Sequence, residues 1–113
     1  MPLYPTTYIA GDEVNLRLTD DYCASENRSL TFTSDSFPSL TNKTIKIFVD
    51  GKTNFFKSMI IENSKKIKVD LTSQELATIG AGRWNYEVIS YTISNHVQTI
   101  VVGNLIITPE FGD

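Results

Sequence analysis

The chain is predicted to be all-β, a two-layered β-sandwich with one short helix. Three features of the sequence lead there. Apolar and polar residues alternate over short runs. Turn-forming residues interrupt those runs at roughly 8 to 12 positions, the rhythm of a sandwich or barrel. The one clear helical signature, beginning at Thr72, is closed off by glycines at 80 and 82.

Taken in order, Thr7 to Ala10 is expected to pair at a sheet edge, and Val14 to Leu18 forms the first strong strand, with Val14, Leu16 and Leu18 on one face. The connection from Thr19 to Asn27 is rich in polar residues and is expected to be exposed. Leu30 and Phe32 mark a short second strand, broken by Ser34-Asp35-Ser36-Phe37-Pro38. Lys43 to Val49 then places Ile45, Ile47 and Val49 together, and Asp50-Gly51 is a two-residue hairpin signal because a type I′ turn needs positive φ at both central residues. With a two-residue loop Val49 faces Lys52, Ile45 faces Phe56, and Phe55 lies on the other face beside Lys46; a longer loop exchanges those faces. Ile67, Val69 and Leu71 alternate with Lys66, Lys68 and Asp70 in a half-buried strand.

Thr72 and Glu75 have the spacing of a capping box, with Leu71 and Leu76 placed as a hydrophobic staple. Glycines at 80 and 82 permit positive φ and end the helix. Trp84, Tyr86 and Val88 then recur with period two, the inward face of a strand running from Arg83 to Thr92. A short helix before an aromatic strand suits a sandwich whose chain crosses between layers, where Trp84 or Tyr86 would fill a tyrosine corner. A last strand from His96 to Ile107 is expected to kink near Gly103-Asn104, before a short tail.

The 113 residues suffice for one domain, residues 1–113, whose core needs no metal or disulfide. A net charge of -3, with basic and acidic residues spread along the chain, offers no footprint for nucleic acid. No apolar run approaches the about 20 residues that cross a bilayer, and Met1 to Pro5 does not open like a signal peptide, so synthesis in a cytoplasm is expected. The lone Cys23 leaves no internal disulfide.

Catalytic constellations are scarce. His96 and Cys23 are single and far apart in sequence, and neither stands in a nucleophile motif, so no catalytic residue is assigned. Asp12, Glu13, Asp20 and Asp21 flank the first strand but lack the dense ladder of a calcium loop; turn formation is the expected role, and neither metal nor cofactor is expected. The stronger signal is apolar residues on faces that should be polar. Inward Trp84, Tyr86 and Val88 leave Ile89 and Tyr91 outward, while Phe48 points away from Ile47 and Val49. Phe48, Ile89 and Tyr91, with Phe55 beside them, form a candidate subunit interface, since large exposed apolar areas mark contact sites; the alternatives are a bulge that flips the parity, or cover of the patch by the N-terminal segment.

Three stretches resemble the N-terminal immunoglobulin-like domain of bacteriophage baseplate, tail-fibre and head-fibre virion proteins. Gly11-Asp12-Glu13-Val14 to Asp21 is similar to the opening strand and acidic turn of that family. Phe37-Pro38-Ser39-Leu40-Thr41-Asn42 to Ile47 is similar to its proline entry, with Ser39 and Asn42 standing where an acid and a glycine are usual. Leu71-Thr72-Ser73-Gln74-Glu75 with Gly82-Arg83-Trp84-Asn85-Tyr86-Glu87-Val88 is similar to its helix-and-strand signature, Trp84 replacing the first aromatic. The resemblance implies an immunoglobulin-like sandwich of about seven strands. It also implies a structural adaptor without active site or cofactor, resident in the virion, whose partners are copies of itself and phage capsid or tail proteins. Because the chain ends at Asp113 instead of continuing into a fibre, a head-fibre, capsid-decoration or fibre-docking piece is expected. The alternative from the residues is a carbohydrate-binding module for a host surface glycan, with Tyr4, Tyr8, Tyr22 and Trp84 stacking on sugars.

Overall fold

A computed structural model of the protein describes residues 6–18, 20–23, 28–92, 94 and 96–109. Its elements are β1 (Thr7–Ile9), β2 (Val14–Arg17), β3 (Leu30–Thr33), β4 (Thr44–Asp50), β5 (Asn54–Asn63), β6 (Lys66–Val69), α1 (Ser73–Ile79), β7 (Gly82–Tyr91) and β8 (Val97–Thr108). The strands join in one sheet of order β1-β3-β6-β5-β4-β7-β8-β2 that curls into a nearly closed, barrel-like all-β body.

β5 makes the bend. Its first half pairs with β4, from Asp50↔Asn54 to Ile45↔Met59, and from Ile60 onward it pairs with β6 instead. One layer is therefore β1, β3, β6 and the end of β5; the other is the start of β5 with β4, β7, β8 and β2. Between them lies one core cluster, to which nearly every strand sends its alternate residues, among them Leu16, Phe32, Ile47, Ile67, Val88 and Leu105. Phe32 of the first layer stacks on Tyr86 of the second, with ring centroids 5.2 Å apart. The seam beside them, lined by Val14, Leu30, Val49 and Leu105, has no room for a water molecule.

Tyrosine hydroxyls finish the β2 edge. The Tyr8 hydroxyl of β1 donates to the Asn15 carbonyl of β2 (3.0 Å) and accepts from the Asn15 amide (3.3 Å), so the two edge strands meet through one side chain. Farther along β2, the Arg17 amide donates to the Tyr22 hydroxyl at 2.8 Å. Backbone groups of Asn15 and Arg17 on β2 that would template pairing with another chain are thus occupied, a common protection of edge strands.

The helix follows its sequence signature. Thr72 Oγ1 accepts from the Glu75 amide and Glu75 Oε1 accepts from the Thr72 amide, the reciprocal capping box, while Leu71 and Leu76 are both buried. Gly80 ends it at φ 95°. Glu75 also reaches beyond the helix. Its Oε1 accepts from Lys57 Nζ at 2.9 Å, and the same ammonium donates to the Asp70 carbonyl at 2.6 Å. An inward-facing lysine on β5 is so made tolerable, since a charge leaving water needs a partner. Burial pushes the Glu75 carboxyl up, but the Lys57 bond and the Thr72 amide outweigh it and hold the group below its ordinary value. A lowered native value means stability that is full above the ordinary 4.5 and lost as pH falls through the native one. Glu75→Gln is accordingly expected to cost about 1 kcal/mol at neutral pH and to flatten the acid limb of thermal melts taken across pH 2 to 6, the pair being partly solvent-screened.

Four expectations are corrected. The β4–β5 loop is three residues long, Gly51 to Thr53, so Val49 faces Phe55 and Phe48 faces Phe56. Phe55 is consequently inward, packed against the core, and Phe56 takes the outer place. Neither Asp50 nor Gly51 has positive φ; glycine is required at 51 by the close approach of Ile79. The irregularity in β8 is a bulge at Ile100, where Val88↔Val101 is followed by Ile89↔Thr99, and not a kink at Gly103. Gly103 instead makes room for the Tyr86 ring, 2.7 Å from where a Cβ would stand. Finally, the polar connection before β3 is not simply exposed: Tyr22 is fully buried and bridged to Leu71 by amide–carbonyl bonds of 2.7 and 2.8 Å. Residues 19 and 24–27 of that connection lie outside the described residues, as do Tyr4 and the tail beyond Pro109.

Candidate interaction surface

Cross-strand partners in a sheet share a face, so the registers define the outer surface of β5, β4, β7 and β8. One row across it is Phe56, Phe48, Glu87 and Val102; the next is Ser58, Lys46, Ile89 and Thr99; then come Thr44, Tyr91 and Val97. The three residues singled out in the sequence, Phe48, Ile89 and Tyr91, stand together on this face because period two along β4 and β7 survives intact. The bulge falls in β8 and leaves the parity of β7 unchanged.

The face is aromatic at one side and aliphatic at the other. Phe48 and Phe56 stack at 5.7 Å, and Phe56 is 62% exposed. The Lys46 ammonium lies over two rings, 5.6 Å from the Phe56 centroid and 5.5 Å from that of Tyr91, a cation–π clamp that holds the charge above the greasy strip. Val97 and Val102 are each 60% exposed at the far side. Shallow grooves flank Phe48, one lined by Phe48, Asp50, Asn85 and Glu87, the other running along Phe55 and Phe56. Phe56, Lys46 and Glu87 are not evident from sequence: loop length decides the face of Phe56, and Lys46 and Glu87 look like ordinary solvated positions until their neighbours are known.

Other candidate groups are engaged in holding the fold. Glu13 pairs with Arg83 at 3.0 Å, and Asp21 Oδ1 accepts from the Ser73 amide at 2.7 Å, at the start of α1. Asp20 approaches Arg28 at 3.9 Å. The Asp12 carbonyl accepts from the Tyr86 hydroxyl at 2.9 Å. Among the described residues, no three His, Cys, Asp or Glu side chains gather where they could hold an ion. His96 is exposed in the β7–β8 turn, and desolvation, with Asp70 and Asp21 nearby, pushes the Cys23 thiol up and away from the reactive thiolate. Burial pushes the Tyr86 phenol up to about 12, against an opposing bond from the Gly11 backbone, so it remains a neutral hydrogen-bond donor.

Of the tyrosines named for sugar stacking, Tyr8 and Tyr22 are buried with their hydroxyls occupied. Trp84 is half-buried and donates Nε1–H to the Gly80 carbonyl at 2.8 Å. That bond runs to a carbonyl four residues upstream, whereas the Tyr86 hydroxyl reaches to the β1–β2 connection. No protein-family model matches the chain, and no curated protein matches it either.

Proposed function

We propose that this chain is a non-enzymatic structural component of a bacteriophage virion. In this reading it is an immunoglobulin-like adaptor or decoration, for a head fibre, the capsid surface or the attachment of a tail fibre or baseplate, that associates with copies of itself and docks on the particle. The observation that carries the reading is the outer band of an exposed Phe56 with half-buried Phe48, Ile89 and Tyr91 beside it. The same chain covers its β2 edge with Tyr8 and Tyr22, yet leaves aromatic surface on this face.

The strand pairing supports the immunoglobulin-like part. β3 pairs with β6 in one layer and β4, β7 and β8 pair in the other, as strands B and E, and C, F and G, do in that sandwich. β1, parallel to β3, departs from it. Asn42, standing where the family pattern has glycine, holds φ 59°, a conformation that asparagine tolerates. Face-to-face contact through buried rings is the route to assembly here, because the tyrosine caps obstruct pairing along the β2 edge.

Immunogold labelling of purified virions with an antibody to this chain is expected to decorate one position on the particle. Unlabelled virions, alongside a chain that binds none of them in co-sedimentation, would remove the virion assignment. Phe48→Asp is expected to weaken attachment or self-association by at least about tenfold, since a charge would enter the centre of the contact.

A further inference from the structure

The outer face carries a charge pattern that fits its own copy. Across β4 and β7, Lys46 is paired with Ile89 and Phe48 with Glu87. These four residues form a small parallelogram whose one diagonal, Phe48 to Ile89, is apolar and whose other, Lys46 to Glu87, joins opposite charges. From strand spacing and rise, each diagonal spans about 8 Å between Cα atoms. Five ion pairs form elsewhere within the chain: Arg28 with Asp20, Lys57 with Glu75, Lys65 with Asp35, Lys68 with Glu62 and Arg83 with Glu13. Lys46 and Glu87 belong to none of these pairs among the described residues.

We infer that this face binds a second copy of the chain about a two-fold axis running along the Phe48–Ile89 diagonal. The inference rests on the self-association proposed above and specifies its geometry. Rotation about that axis brings Phe48 and Ile89 against their own equivalents and exchanges the other two corners. Lys46 of each copy then meets Glu87 of the other, twice, as an isologous contact requires. The same rotation carries the exposed Phe56 ring toward the partner's groove between Phe48, Asp50, Asn85 and Glu87. Two charge pairs and a ring entering a groove give the contact a defined register, which is the use of electrostatic complementarity at interfaces.

A charge swap read by sedimentation velocity tests this arrangement, with circular dichroism confirming the fold of each variant. The wild-type chain is expected to dimerise. Lys46→Glu sets carboxylate against carboxylate at both contacts, and Glu87→Lys sets ammonium against ammonium, so each alone is expected to weaken dimerisation at least about tenfold. Mixed in equal amounts the two variants become compatible, because a K46E copy facing an E87K copy sets carboxylate against ammonium at both contacts; the double variant K46E/E87K likewise restores an opposite-charge pair at both contacts and should recover the dimer alone. Recovery in the double variant supports the two-fold arrangement, since docking on an unrelated partner gives no such rescue. A wild-type dimer unaffected by either swap, or a double variant that stays monomeric, overturns the arrangement while leaving self-association standing. A wild-type chain that is monomeric at millimolar concentration overturns it too, whereas virion labelling answers separately for the particle.

Discussion

Phe32→Ala is expected to cost about 3–5 kcal/mol of folding stability, the usual range for deleting a buried ring. The residue is fully buried, and its ring stacks on Tyr86 with planes 22° apart. What makes it the most sensitive position is its place in the fold. β3 and β7 belong to opposite layers and are not neighbours in the sheet, so the Phe32–Tyr86 contact is among those that hold the layers together. Leu30, Leu71 and Leu105 line the seam around it, and they cannot close over a missing ring without moving strands that are fixed by their own ladders. Thermal melts should show the midpoint falling by about 10–20 °C, and Phe32→Leu, which keeps most of the volume but loses the stack, should fall much less. Phe37→Ala, half-buried in the β3–β4 connection, is the natural comparison. A Phe32→Ala loss no larger than that of Phe37→Ala would show that the layers are held elsewhere.

Local signals in the sequence are faithful guides to this fold, and signals that depend on distant partners are not. The capping box of Thr72 and Glu75 is decided within four residues, so nothing remote can override it. Period two along β4, β6 and β7 sets their faces for the same reason, and with them the shared surface of Phe48, Ile89 and Tyr91. Tyr22 shows the opposite case: it sits in a polar stretch, and only the bridge to Leu71 and the Arg17 amide explain its burial. Lys57 reads as solvated by type and stands inward by parity, a conflict that Glu75 and Asp70 resolve from another element. On the candidate face, the Lys46–Glu87 diagonal emerges only when two registers are laid side by side.

Gly51→Ala is expected to cost about 3 kcal/mol, at the upper end of overpacking penalties. From its sequence context this glycine looks like a turn residue valued for positive φ, and on that ground alanine would be penalised through backbone strain. The structure gives a different cause. A Cβ at 51 would stand 2.6 Å from Ile79 Cγ2 and 2.8 Å from the Ile79 carbonyl oxygen. The side-chain contact could be relieved by another rotamer; the carbonyl contact could not, because the Ile79 oxygen accepts from the Lys52 amide at 2.7 Å and ties the end of α1 to the β4–β5 loop. Alanine must therefore push the helix end away, breaking that bond and shifting Ile79, which is fully buried. The two causes separate experimentally. If positive φ were the requirement, Gly51→Asn would be tolerated better than Gly51→Ala, since asparagine adopts that conformation more readily; if space is the requirement, asparagine is at least as damaging. Chemical denaturation of both variants decides it, and a Gly51→Ala protein within about 0.5 kcal/mol of the parent would mean that the contact between α1 and this loop is slack.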